Sequence, residues 1–148
     1  MDEVWVRVPA VPRIKSVKMR DIAFRGKRLD NGEWVTDSQT LIIDGDGTWL
    51  SDADLNVVKV APSTLGQFTG LLDRDYKRVY EGDVVNWLML RTDGVGYMEE
   101  GRVEFRDYEQ ANVVVRKCKT VDGRESVRWL LGCMELKVVG NIYDNPDW

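Results

Sequence analysis

The chain contains no histidine, and that single absence removes more chemistry than any residue present supplies. Ser-His-Asp and Cys-His catalysis, histidine metal sites and the usual general base near neutral pH are all excluded. Catalysis would have to draw on carboxylates, lysine, tyrosine or a thiol, so the expectation is a protein that is not an enzyme. Cysteine is almost as scarce, with only Cys118 and Cys133. Two thiols without a signal peptide are expected to be reduced, and neither has the Cys-x-x-Cys partner of a redox or metal site. A tight turn at Asp122-Gly123 would place Cys118 opposite Val127 and not Cys133. No stretch approaches the roughly 20 consecutive apolar residues of a membrane-spanning helix, and the N-terminus lacks the order of a signal peptide, so the expected location is cytoplasmic with no membrane contact. A phosphate-cradling Gly-x-x-x-x-Gly-Lys loop is also missing, and no cofactor is expected. Nor is there sustained helical periodicity; a turn or two near 51–56 or 63–66 is the most the pattern allows. No repeat of 20 to 50 residues is visible, which excludes solenoids and propellers.

What is present is one domain's worth of chain: 148 residues, 43% of them apolar and 31% charged. A chain of that size buries roughly 70% of the surface its unfolded form exposes, enough for a core without staples. The net charge of −4 is unevenly spread, since residues 1–28 hold eight basic against three acidic residues while 29–148 hold thirteen against twenty-two. Two readings follow. The basic segment packs on an acidic surface of its own or a neighbouring subunit, or Arg13, Lys15, Lys18, Arg20, Arg25, Lys27 and Arg28 contact nucleic acid. The acidic body repels phosphate, so the first reading is preferred.

Residues 1–18 form an N-terminal arm in which Val4, Val6 and Val8 alternate with Trp5 and Arg7 before Pro9 and Pro12 interrupt. The arm is either disordered or adds a strand to a sheet edge, on this copy or another. From Ile22 onward the chain reads as β-hairpins. Phe24 leads through Asp30-Asn31-Gly32 to Trp34 and Val35, and Asp44-Gly45-Asp46-Gly47 joins Leu41-Ile42-Ile43 to Thr48-Trp49-Leu50. Further strands are expected at 57–60, 67–71, 78–80 and 84–90, the last with Val85, Trp87 and Met89 on one face. A long polar loop is expected over 91–100, then strands at 101–105, 111–118, 126–131 and 136–142. That order predicts a mainly β fold with little helix: an N-terminal β lobe over 19–66 and an SH3-like barrel over 67–148, packed as one unit.

Two acid clusters invite chemistry. In extended backbone Glu81 and Asp83 project to one side, as paired acid-base carboxylates do. The simpler reading makes Tyr80-Glu81-Gly82-Asp83 a turn, with its acids on backbone N–H groups and Gly82 at positive φ. Asp52, Asp54 and Asn56 imitate the start of a calcium loop, but Val57 stands where the sharp turn needs glycine and Ser63 where the bidentate glutamate belongs. Asp44-Gly45-Asp46-Gly47 fails likewise at Leu55, so no metal site is expected. Of the six tryptophans, Trp5, Trp34 and Trp148 are candidates for an interface.

Three segments, 19–25, 67–85 and 138–146, carry Phe24-Arg25, Thr69-Gly70-Leu71 with Tyr80-Glu81-Gly82-Asp83, and Gly140-Asn141-Ile142-Tyr143 with Asn145-Pro146, and together they resemble the YopX family of phage and prophage proteins. Met19-Arg20-Asp21-Ile22-Ala23-Phe24-Arg25 is similar to the family's opening strand, which ends in Phe-Arg. Gln67-Phe68-Thr69-Gly70-Leu71, with Asp73 and Val79-Tyr80-Glu81-Gly82-Asp83-Val84-Val85, is close to its Tyr-Thr-Gly-Leu and Tyr-Glu-Gly-Asp elements. Val138-Val139-Gly140-Asn141-Ile142-Tyr143-Asp144-Asn145-Pro146 looks like its closing Gly-Asn-Ile-Tyr-Glu-Asn-Pro. Phe68 replaces the family's tyrosine and so lacks its hydroxyl. Tyr76 replaces a hairpin glycine, which predicts a different turn type. The arm lies outside the resemblance, as a genuine extension or an upstream start codon. The resemblance implies a predominantly β protein encoded by a phage or prophage. It implies no activity. The missing chemistry, the sheet-rich body and an arm able to pair elsewhere add the expectation of an accessory protein in the bacterial cytoplasm that acts through protein contacts, with itself as a homo-oligomer and with a host or phage protein. The motif positions Phe24, Arg25, Phe68, Thr69, Gly70, Leu71, Tyr80, Glu81, Gly82, Asp83, Gly140, Asn141, Ile142, Asn145 and Pro146 are read as structural.

Overall fold

The computed structural model describes residues 21–117 and 119–148. The arm at 1–18, Cys118, and the basic candidates Arg13, Lys15, Lys18 and Arg20 lie outside them.

The described chain is mainly β and its ladders are antiparallel. Strands β1 (Phe24–Lys27) and β2 (Trp34–Ser38) form the first hairpin across Asp30-Asn31-Gly32. β3 (Leu41–Asp44), β4 (Gly47–Ser51) and β5 (Val57–Val60) make a three-stranded sheet in that order. Its acid-rich corners are Asx turns: Asp44 accepts the N–H groups of Asp46 and Gly47, and Asp52 those of Asp54 and Asn56. The leading acid of each calcium-loop imitation, Asp44 and Asp52, is therefore engaged by backbone. A 3-10 turn at Pro62–Thr64 falls in one of the stretches where the sequence allows it.

β6 (Gly66–Leu72) and β7 (Arg78–Tyr80) pair with each other, and β6 pairs with β1, giving a four-stranded sheet β2-β1-β6-β7. The lobe boundary expected between residues 66 and 67 therefore runs through a sheet. Alternation explains why. Phe68 and Tyr80 pack with Ala23 on one side of the hairpin, while Val79 and Leu71 turn the other way into the C-terminal core. The hairpin is a wall shared by both lobes. Its turn holds Tyr76 at a φ of +63°, a left-handed geometry that glycine adopts more readily.

β8 (Asp83–Leu90), β9 (Gly96–Arg106), β10 (Ala111–Arg116), β11 (Val127–Trp129) and β12 (Met134–Asn141) form a five-stranded sheet in the order β11-β10-β9-β8-β12, with a 3-10 turn at Leu130–Gly132 before the last strand. These ladders establish a curled antiparallel sheet with two edges, the coarser part of the SH3-like expectation. Its core is Val79, Val85, Trp87, Val103, Val114, Leu130, Leu136 and Val138. The long polar loop expected over 91–100 is instead a hairpin, because β9 begins at Gly96 and pairs with β8 out to Leu90. Gly96, Tyr97 and Met98 are all exposed, so no alternation of burial marks the strand in the sequence. The β10–β11 connection is also longer than a two-residue turn: Thr120 and Arg124 close it and Val127 pairs with Val115, not with residue 118. Among the described residues no helix is long and apolar enough to cross a membrane.

Candidate functional site

β1 supplies a basic side chain to each of two clasps. Arg25 is 8% exposed, and its Nη1 lies 2.6 Å from Oδ1 of Asp83, itself 1% exposed. Its Nη2 donates to the carbonyl of Glu81 at 3.2 Å, and its guanidinium lies 4.9 Å from the Trp34 ring centroid and 5.0 Å from that of Tyr80. The other oxygen of Asp83 accepts the Tyr80 N–H at 2.7 Å. Burial pushes the Asp83 carboxyl up, against the opposing pull of Arg25 and that N–H. An interior ion pair is tolerated when further bonds satisfy its remaining groups; these contacts engage both oxygens of Asp83 and both terminal nitrogens of Arg25, while the buried Arg25 Nε has no hydrogen-bond partner among the described residues.

The tetrapeptide Tyr80-Glu81-Gly82-Asp83 is a turn. Glu81 directs its carboxylate to the N–H of Gln67 at 3.1 Å, so the two acids work in different places rather than as a pair. Gly82 has a φ of +85° and faces Tyr143, where an ideal Cβ would stand 2.8 Å from the ring. Only glycine fits both the backbone and the neighbour.

The second clasp is more open. Lys27 Nζ pairs with the Asp144 carboxylate, which also accepts Trp34 Nε1–H and the Asn141 side-chain amide, each at 2.9 Å. Those donors, Lys27 first, hold Asp144 down at about 2. Asn141 positions it, because its Oδ1 accepts the N–H groups of Tyr143 and Asp144. Gly140 abuts the Asn145 amide, Ile142 donates its N–H to the Gly82 carbonyl, and Tyr143 lies against Trp34 with ring centroids 5.7 Å apart. Pro146 follows in the exposed chain end.

Between the clasps lies a cleft of about 270 Å³ lined by Arg25, Trp34, Thr36, Asp37, Lys77, Arg78, Tyr80, Asn141 and Asp144. The Tyr80 hydroxyl donates to Asp37 at 2.5 Å and accepts the Asp37 N–H at 3.1 Å. Burial, then the Asp37 carboxylate, pushes that phenol up to about 12. Arg78 stands 3.5 Å from Asp37 and 4.8 Å from the Phe68 ring centroid. Phe68 thus seats a cation on its face while Tyr80 carries the engaged hydroxyl. Nearby, Thr69 Oγ1 donates to the Val79 carbonyl and accepts the Leu71 N–H, with Gly70 between them at a φ of +86°. Phe24 packs against Val35, Leu50 and Val60.

Three candidate nucleic-acid contacts lie within the described residues, and all are already ion-paired: Arg25 with Asp83, Lys27 with Asp144, and Arg28 with Asp30 at 2.8 Å. Burial pushes the Cys133 thiol up, away from the reactive thiolate. Sequence reasoning missed the roles of Asp37, Asp73 and Asp144. Asp73 is 6% exposed and accepts the N–H groups of Asp75, Lys77 and Val138. Burial drives its carboxyl upward, but the three donors outweigh it and hold it below the ordinary value. An aspartate leading a polar turn is a local signal for the first two of those bonds; the Val138 contact has none. Of the tryptophans, Trp87 is buried and Trp34 is in the clasps, while Trp129, not among the interface candidates, is half exposed. Among the described residues no group of three or more cysteines, aspartates or glutamates is gathered to hold a metal ion.

Comparison with curated proteins finds no match. The family model described as YopX protein matches residues 23–148, a span that contains β1, the shared hairpin and the closing segment, and therefore every residue of both clasps. The chain belongs to the YopX family.

Proposed function

We propose that this is a non-enzymatic accessory protein, encoded by a phage or prophage and acting in the bacterial cytoplasm through contacts with itself and with a host or phage protein. One observation carries this reading: the ionisable motif residues are committed to the fold while large apolar side chains face outward. Asp83, Glu81 and Arg25 all have partners within the chain, as do Asp73 and Asp144. By contrast Phe105, Trp129 and Leu131, which line a common groove, are 44%, 55% and 82% exposed. Apolar groups gathered at a surface mark contact sites, and tryptophan is enriched among the residues that dominate them. The ion pairs of Arg25, Lys27 and Arg28 weigh against the nucleic-acid reading, whose affinity needs cations free to displace counterions.

Crosslinking in expressing cells, followed by titration of the purified partner, tests the proposal. The expected result is a protein partner whose affinity changes little between 50 and 300 mM salt and falls on Trp129→Ala. Reproducible turnover of a small molecule by pure protein, or retention of nucleic acid in a low-salt gel shift that disappears steeply as salt rises, overturns it.

A further inference from the structure

We infer that β3 is the seam of a two-fold homodimer, in which the β3 strands of two copies pair antiparallel with Ile42 opposite Ile42. The inference rests on the contact reading above and names the surface and the partner.

The described sheet edges differ in how they are protected. β5 carries Lys59 and is covered at its C-terminal end, where Leu29 donates to the Lys59 carbonyl at 3.0 Å and Ala61 to that of Lys27 at 2.8 Å. β2 and β12 carry register breaks in their ladders. β7 and β11 are three residues long and hold Arg78 and Arg128. Bulges, brevity and edge charges are the devices that stop sheets from pairing with one another. β3 has an unbroken ladder and no lysine, arginine or proline, and Ile42 and Ile43 are 41% and 67% exposed.

Hydrogen-bond phase fixes the register. Asp44 and Gly47 close a two-residue turn, so their pair exchanges hydrogen bonds and the pattern alternates from there. Ile42 therefore points its N–H and C=O toward β4, while Leu41 and Ile43 point theirs at the free edge. A two-fold axis perpendicular to the sheet keeps inner faces with inner faces, which demands that residues of like parity meet. Placing Ile42 against Ile42 satisfies both conditions. Leu41 and Ile43 of opposite copies then form two hydrogen-bonded pairs, and the Ile42 side chains meet at a non-hydrogen-bonded position, where side chains are closest.

The side chains are self-complementary in this register. Ile42 shares its face with Trp49 and Lys59, so the outer surface would run continuously across the seam from one Trp49 to the other. Inside, Leu41, which packs on the Val35, Leu50 and Val60 core, would be covered by the partner's Ile43. The strand's charge lies at one end, in Asp44 and Asp46, whereas Gln39 and Thr40 at the other end are neutral. Antiparallel self-pairing sets each acidic end beside a neutral one, with Asp44 opposite a Thr40 hydroxyl. Sliding by one step to put Ile43 against Ile43 would bury Ile42 against Asp44. A strand pair this short makes a small interface, with a Kd on the order of 10 μM to 1 mM.

Sedimentation equilibrium from 5 μM to 1 mM reads the outcome. Wild type is expected to shift from monomer to dimer. Ile42→Lys and Ile42→Glu are each expected to weaken dimerisation at least about tenfold, because like charges then stand directly opposite, and a 1:1 mixture of the two restores the dimer. Thermal melts confirm that both variants fold. A dimer indifferent to either substitution, or a mixture that stays monomeric, overturns the seam. So does a dimer lost only on removal of residues 1–18, which assigns the contact to the arm. A wild-type monomer at 1 mM that still binds another protein overturns self-pairing alone and leaves the contact reading standing.

Discussion

Arg25 and Lys27 stand two residues apart on one strand, and each reaches an aspartate supplied from far along the chain, yet the two pairs act in different media. The inner pair, with Arg25 and Asp83 side chains 9% and 1% exposed, sits where water does not screen it; the outer pair, Lys27 and Asp144 at 26% and 45%, sits where water does. The difference teaches that one kind of bond can serve two purposes. Stranding either member of the inner pair leaves a buried charge alone, whereas losing the outer pair costs a screened contact and the orientation of a chain end.

Breaking the inner pair is the largest effect expected. Arg25→Met or Asp83→Leu should each cost about 3–5 kcal/mol in chemical denaturation, and the two combined should cost less than the sum of the two single losses. Gly82→Ala comes next, at about 2–3 kcal/mol, since it forces a left-handed backbone on alanine and drives Cβ into Tyr143; Trp34 fluorescence should change with it. Asp144→Asn should cost about 0.5–1 kcal/mol, less at 1 M salt than at 50 mM, while the inner pair responds little to salt.

The response to pH should separate the clasps by sign. Asp144 is held at about 2 against an ordinary 3.8. Its stabilisation is therefore complete above the ordinary value and is lost as pH falls from 3.8 toward 2. Asp83 is shifted upward, so the folded state keeps a proton that the unfolded chain has released, and its contribution declines as pH rises above 3.8. Thermal melts between pH 2 and 6 should lose the first slope in Asp144→Asn and the second in Asp83→Asn. The smallest effect lies outside both clasps. Tyr76→Gly should gain about 0.5–1 kcal/mol by relieving a left-handed tyrosine that is 84% exposed.

The hairpins were legible wherever corner and alternation agreed, as at Asp30-Asn31-Gly32 and Asp44-Gly45-Asp46-Gly47, because turn chemistry is local and the flanking residues record which face is buried. They were not legible at 96–100, where both faces of β9 meet solvent and the residues carry no period. That β6 pairs with β1 across the 66/67 boundary was not legible for a related reason. β6 and β7 send alternate residues into two different cores, and one-dimensional alternation names the faces without naming what they pack on. At the site, the motif residues could be recognised and Gly82 placed in a turn. The partnerships could not be read, since Lys27 and Asp144 are 117 residues apart and nothing in either neighbourhood encodes the other. Ile42 and Ile43 look in sequence like any buried strand, and only the fold shows that no strand among the described residues lies beyond them.

The outer clasp also sets a timetable. During synthesis the first hairpin leaves the ribosome well before its fastening, because Lys27 waits for Asp144, made 117 residues later, and the Trp34 indole waits for the same carboxylate. A nascent chain stalled before that point would carry β1 and β2 without their fastening, open to other partners until the Asp144 segment arrives.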